Sequence, residues 1–285
     1  MTEPVLSMRL AQQARTRALI VPREHGAWGL LFIPLFTGAA VGLAAPLRIW
    51  PIPVFSVAAL ALFWLRTPVE SLLGTAPMSA QTPEERRIAL LASAALGGAS
   101  IACLAGLLWD GRNPGLLLLG IAAVLAFVAQ TALKKLSRKL RMSAQIVGAI
   151  GLTCTAPAAY YLATGRLDRT AWLLWVANWA FAGDQIHFVQ LRIHAARAQD
   201  FREKFSRGRG FFIAQMLLFI ALFLAAVTGL IPALVSLAFF PALFRGFFWF
   251  FRQPQPLQVK SLGWSEMRQG ILFGILLAAA LIFSM

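Results

Sequence analysis

The sequence predicts an all-α, polytopic membrane bundle of about nine transmembrane helices, N-terminus inside and C-terminus outside. Three observations carry that expectation. Of 285 residues, 59% are hydrophobic and only 13% charged, where a soluble domain carries about a quarter charged residues. Apolar runs of roughly 20 residues recur along the whole chain, the length a helix needs to cross a bilayer core. The basic residues also segregate: Arg48, Arg112, Arg166 and Arg169 fall on one side of the predicted spans. Every other Lys and Arg falls on the opposite side or at its membrane edge, which sets the orientation.

Taken in order, the chain opens with residues 1–24, read as a separate cytoplasmic amphipathic segment. Val5, Leu6, Leu10, Leu19 and Ile20 alternate there with Arg9, Arg15 and Arg17, a pattern suited to the membrane surface. No cleavable signal peptide is visible, because a compact apolar core and an A-x-A site are missing. Residues 25–285 are expected to form a single nine-helix membrane domain. Its spans are placed at 25–46, 50–66, 88–109, 115–133, 144–163, 170–191, 210–229, 231–251 and 267–284. Trp50, Trp109 and Trp172 mark outer ends and Trp64, Trp249 and Trp264 inner ends, as interfacial indoles do.

Local chemistry refines several elements. Pro68 is expected to break the second span between Arg66 and Glu70. Pro83-Glu84-Glu85 reads as an acidic N-cap turn for the third span. Gly98, Ala102 and Gly106 permit close backbone approach in that span, and Gly148 and Gly151 suggest a tight or bent contact in the fifth. Long cytoplasmic connections follow the second span, Thr67–Arg87, and the sixth, Arg192–Arg209. A further inner loop, Arg252–Glu266, carries Pro254, Pro256 and Lys260. Lys134–Arg141 is a basic loop read as orientation signal and lipid contact.

The net charge of +15 raises nucleic acid as a partner, yet the basic residues sit between spans, where orientation and anionic headgroups account for them. The expected partner is the lipid bilayer, with no nucleic acid. Cys103 and Cys154 form no CxxC pair and give no metal or redox signature.

The chemistry concentrates in the sixth span. Asp184, His187, Leu191 and His194 share one helical face by three- and four-residue spacing. Asn178, Gln185 and Arg192 form a neighbouring stripe at seven-residue spacing. Ionisable groups at such depth are costly, so they mark a candidate site. There Asp184 is expected to hold or tune His187 for proton transfer; a buried pair that only fixes helix packing is the other reading. The first span opens with Pro22-Arg-Glu-His-Gly-Ala-Trp28, placing His25 at the depth of His187 and His194. An interfacial anchor built from Arg23 and Trp28 is the alternative there. Arg66 suits a phosphate or carboxylate, or snorkels to the surface. Asp200 and Glu203 could meet a divalent cation with Asp184, although hard cations need more carboxylates close together. No spacing supports a metal site among the histidines.

Three stretches carry a resemblance: Arg23-Glu-His-Gly-Ala-Trp28, Ile150-Gly-Leu-Thr-Cys-Thr-Ala-Pro-Ala-Ala-Tyr-Tyr161 and Leu262-Gly-Trp-Ser-Glu266. On these the chain resembles the YwiC-like family of bacterial membrane proteins. In layout it also resembles the UbiA superfamily of intramembrane prenyltransferases, whose nine-helix bundles are capped by the second–third and sixth–seventh cytoplasmic loops. Asp184-Gln-Ile-His-Phe188 is similar to a haem O synthase segment. That superfamily holds Mg²⁺ and a prenyl diphosphate on two aspartate-rich motifs. Here the second-span stretch has Arg66 and Glu70 and no aspartate, and Asp184, Asp200 and Glu203 lack the DxxxD spacing.

The resemblance implies a bacterial inner-membrane protein with a cytoplasm-facing pocket, prenyltransferase-like or degenerate. It would act on an amphipathic isoprenoid, quinone or tetrapyrrole such as haem. Asp184 and His187 would be catalytic, with His25, Arg66, Asn178, Gln185, Arg192 and His194 binding substrate. The cofactor is left open, Mg²⁺ included. A non-catalytic transporter or an assembly factor for a respiratory complex is the competing class.

Overall fold

Apolar stretches become helices throughout, and no strand occurs among the described residues. The computed structural model describes residues 14–21, 25–76, 78–109, 111, 113–198, 200–253 and 257–285. Residues 14–20 are helical. They are followed by α1 (His25–Ala44), α2 (Pro51–Leu72), α3 (Pro83–Trp109), α4 (Asn113–Leu136), α5 (Arg141–Thr153) and α6 (Thr155–Thr164). Then come α7 (Arg169–His194), α8 (Phe201–Val227), α9 (Ala233–Ala238), α10 (Phe240–Phe251) and α11 (Val259–Ile282).

Among the described residues, six stretches are long and apolar enough to cross a membrane: α2, α3, Pro114–Leu136 of α4, Arg141–Thr164 through α5 and α6, α8, and Lys260–Ile282 of α11. Trp28–Ala44 and Phe240–Phe251 are shorter apolar helices. Burial separates their roles. The apolar window of Arg141–Thr164 is 72% buried, whereas those of α3 and α8 are only 11% buried. Ile101, Val124, Leu125, Leu217 and Phe223 are among the side chains left exposed. Apolar surface on that scale suits lipid rather than water.

The described chain gathers into two compact units. The first comprises the described parts of Met1–His25 with Trp50–Asn113, and so holds α2 and α3. The Trp64 indole donates to the Ile20 carbonyl at 2.9 Å, and the Arg15 guanidinium pairs with Glu85. Glu85 in turn accepts from the backbone N–H of Gln81 (2.8 Å) and Thr82 (3.3 Å), while Thr82 Oγ1 accepts from Glu85 N at 3.2 Å. The acidic N-cap turn is thus a reciprocal capping box that also ties down the 14–20 helix. Residues 1–13 of the expected amphipathic segment lie outside the described residues.

Pro68 does not break the second span. It is enclosed in α2, which continues to Leu72, and Arg66 pairs with Glu70 at 2.9 Å. A proline removes one ladder bond and crowds one carbonyl, and here both flanks keep helical geometry. The loop that follows contracts accordingly. Gly98 and Gly106 meet nothing within 4 Å, so the small-residue repeat of α3 is not a packed contact in this structure.

The second unit comprises Gly26–Ile49 and Pro114–Met285. Its centre is α6, every residue of which is buried. The fifth predicted span is divided at Cys154 into α5 and α6, and Pro157 falls in the first turn of α6, where its missing N–H costs little. Against α6 packs α1, backbone to backbone. A Cβ at Gly38 would lie 2.0 Å from the Ala156 carbonyl oxygen, and one at Gly42 would lie 2.7 Å from Ala163 Cβ. Only glycine allows that approach. Gly151 likewise lets α5 meet Ala123 and Ala126 of α4.

Two of the longer expected loops prove shorter because helices invade them. Asp200 caps α8 by accepting from Glu203 N at 2.7 Å, so the basic residues from Arg202 to Arg209 lie on that helix. Likewise α11 begins at Val259, which puts Glu266 on a helix rather than in a loop. Pro254 and Pro256 lie outside the described residues.

Candidate functional site

Asp184 lies on the inward face of α7 and is 9% exposed. A carboxylate so enclosed needs partners for both oxygens. Oδ1 accepts from the Gln215 amide of α8, and Oδ2 from Nη2 of Arg245 on α10 at 3.3 Å. Arg245 Nη1 donates to both carboxylate oxygens of Glu266 on α11. The ring closes through Gln185, whose amide nitrogen donates to the Glu266 backbone carbonyl at 2.9 Å. Four helices are therefore joined by one acid–guanidinium–acid bridge with an amide at each end.

Sterics hold it in place. The Arg245 guanidinium carbon stands 4.1 Å from the Phe188 ring centroid, a favourable cation–π placement. Gly246, next in sequence, leaves room for Gln215: a Cβ there would sit 2.5 Å from its Nε2. Further along α7, Asn178 donates to Thr37 Oγ1 of α1 at 3.0 Å and to the Leu174 carbonyl at 2.8 Å. Asn178 and Gln185 also line, with Gly29, Ile33, Pro34 and Phe181, a cavity of about 10 Å³, the scale of one water molecule.

Arg192, in the last turn of α7, lies within electrostatic reach of Glu266, Arg245 and Arg252. Glu266 thus faces two guanidinium groups, Arg245 and Arg192, and Asp184 faces Arg245. Two buried atoms of the ring stay unpartnered, the donor Arg245 Nε and the acceptor Gln215 Oε1. Gln269 Oε1 on α11, outside the ring, is likewise buried without a partner. Buried polar atoms are rarely left so.

The remaining candidates fall outside the ring. His187 is half-buried and stands edge-on to Phe211, centroids 5.1 Å apart. It does not bond Asp184, whose oxygens are taken by Gln215 and Arg245. His194 is exposed, its Nδ1 2.7 Å from the Gln190 carbonyl. Arg66 belongs to the first unit and pairs with Glu70. His25 opens α1; its side chain, like Arg23 and Glu24, lies outside the described residues. Asp200 serves as a helix cap and Glu203 pairs with Arg207. Among the described residues, no group of three or more His, Cys, Asp or Glu could hold a metal ion.

Sequence reasoning missed Gln215 and Arg245 and gave Glu266 no chemical part. The available signal was Arg245 itself, an arginine inside the run Phe240-Pro-Ala-Leu-Phe-Arg-Gly-Phe-Phe-Trp-Phe-Phe251, which intramembrane cost alone singles out.

Helices apolar on their outer faces, joined inside by a charged ring, define a multi-pass α-helical membrane protein. Residues 21–160, a stretch that ends in α6, match the model of the family of YwiC-like proteins, and there the chain is similar to that family. No curated protein matches it, and no solved structure matches it.

Proposed function

We propose that the chain is a bacterial inner-membrane protein of nine spans, N-in and C-out. It binds the polar end of an amphipathic isoprenoid, quinone or haem-type molecule at a cytoplasm-facing intramembrane site. On this reading it is UbiA-like, a prenyltransferase-like or degenerate enzyme. One observation carries the reading. The ring around Asp184 leaves a donor, Arg245 Nε, and an acceptor, Gln215 Oε1, buried without partners, where a ligand hydroxyl could accept from the first and donate to the second.

Within this reading Asp184 and His187 handle the proton, and Arg192 holds an anionic group. Asn178 and Gln185 orient the neighbouring helices, and His194 stands at the entrance. It rests on second-unit residues alone, so Arg66 and His25 are not drawn into it. The test is paired: Asp184→Ala and His187→Ala should weaken binding of a quinone or polyprenol probe and reproduce the phenotype of a gene deletion. Both variants behaving as wild type in both assays would remove the site assignment.

A second reading has its own observation. Both oxygens of Asp184 and both of Glu266 are already bonded, as in a clasp whose work is to fix four helices. On that reading the chain is a non-catalytic component, a transporter or an assembly factor. Emptying the ring would then lower stability and leave probe binding absent from wild type as well.

A further inference from the structure

Away from the ring, α10 presents a second arrangement. Phe240, Phe244 and Phe248 recur every four residues on one exposed face, at 62%, 57% and 41% exposure. Their rings stack in sequence, centroids 6.0 and 5.4 Å apart at interplanar angles of 24° and 12°. The ladder ends on a cation: the Arg252 guanidinium carbon stands 4.7 Å from the Phe248 ring centroid. Other phenylalanines of the helix, Phe247 and Phe250, are engaged against Phe212 of α8, so the ladder is a face apart from the packing face.

Charge at that end is unbalanced. The buried carboxylates Asp184 and Glu266 are matched by Arg245 and Arg192, as described. Arg252 and Lys204 remain, and among the described residues no carboxylate pairs with either. Lys204 is 2% exposed. Its ammonium donates to the carbonyls of Trp249 and Arg252 and lies 4.3 Å from the Trp249 ring centroid. It fixes the backbone beneath Arg252 and adds a positive charge that water does not reach. Carbonyl dipoles at a helix C-terminus carry part of that charge; an anion beside Arg252 would carry the rest.

We propose that α10 carries a track for a phosphate-headed anionic membrane lipid, its head at Arg252 above Lys204 and its chain along Phe248, Phe244 and Phe240. Dimensions favour a lipid over a free anion. Twelve positions from Phe240 to Arg252 span ~18 Å at the helical rise, close to the ~15 Å of one leaflet's hydrocarbon. An aqueous phosphate would use the cation and leave the ladder without a purpose. This track is independent of whether the Asp184 ring binds a substrate, since no ring residue lines it.

The test uses the full chain purified in detergent, with native mass spectrometry counting bound lipid. Phosphatidylglycerol, phosphatidylcholine and inorganic phosphate are the three probes. Wild type should retain phosphatidylglycerol in preference to phosphatidylcholine, and excess inorganic phosphate should not displace it. Arg252→Gln should weaken retention by about fivefold, the worth of one interfacial cation, with Phe244→Ala also weakening it. Arg209→Gln, the same charge change at an exposed position of α8, should leave retention unaltered. Equal loss in R252Q and R209Q would reduce the track to diffuse attraction, and no preference over phosphatidylcholine would remove it. Displacement by inorganic phosphate would replace the lipid by an aqueous anion and overturn the proposal. Each variant lies on an exposed face, and an unchanged melting curve separates lost lipid from lost fold.

Discussion

Arg245 and Glu266 stand 21 residues apart on different helices, yet a single guanidinium nitrogen of the first donates to both carboxylate oxygens of the second. The same guanidinium reaches Asp184 with its other terminal nitrogen. One side chain therefore connects α7, α10 and α11, and its removal takes from two enclosed carboxylates the cation that bonds them both.

Arg245→Met is accordingly expected to be severe. Breaking a buried pair from one side costs about 3–5 kcal/mol, whereas replacing both partners with apolar residues costs much less. Unfolding in mixed micelles, followed by tryptophan fluorescence, should show R245M far less stable than wild type. Adding E266M to R245M should recover part of the loss. A double variant as unstable as the sum of the two singles would mean that the pair is not coupled.

Gly246 and Gln215 give a finer probe of the same ring. Ala at 246 would place its Cβ against Gln215 Nε2 and push the amide off Asp184. The expected cost is about 1–3 kcal/mol, the range of core overpacking. Gly263→Ala, where nothing stands within 4 Å, is the matched control and should be neutral. The two melting temperatures decide it.

Glycine spacing elsewhere supplies a third test. Gly38→Ala would drive a methyl group into the Ala156 backbone and should separate α1 from α6, lowering stability by about 2 kcal/mol or more. Gly98→Ala meets open space and should be neutral or stabilising by up to about 1 kcal/mol through helix propensity. Melting curves of the two purified variants check the contrast.

These pairs also show what the sequence could and could not convey. The helices themselves were legible, because a run of apolar residues of bilayer length has no other low-energy form in lipid. Asp184 stood out for the same reason of cost, and it is enclosed among polar partners. Its partners were not legible. Gln215 and Arg245 are single polar residues in apolar runs, and which residue each meets depends on how distant helices pack. Gly98 and Gly106 carry the same small-residue signature as Gly38 and Gly42, and only the neighbour decides which stripe is a contact. Pro68 shows the converse, since a breaker by propensity is absorbed within α2.

Orientation is open to a direct check. The charge asymmetry places Lys139 inside and Arg48 outside. With Cys103 and Cys154 replaced by Ala, Lys139→Cys in intact cells should resist a membrane-impermeant maleimide, and Arg48→Cys should react. The reverse pattern would invert the topology and move the Asp184 ring away from the cytoplasmic side.

The most direct measurement of whether the ring holds the polar end of an amphipathic molecule is solvent extraction of the purified protein followed by mass spectrometry. Wild type should carry an isoprenoid-, quinone- or haem-type molecule in near-stoichiometric amount, and Asp184→Ala should carry markedly less. Extracts containing bulk phospholipid alone, identical for the two proteins, would contradict it.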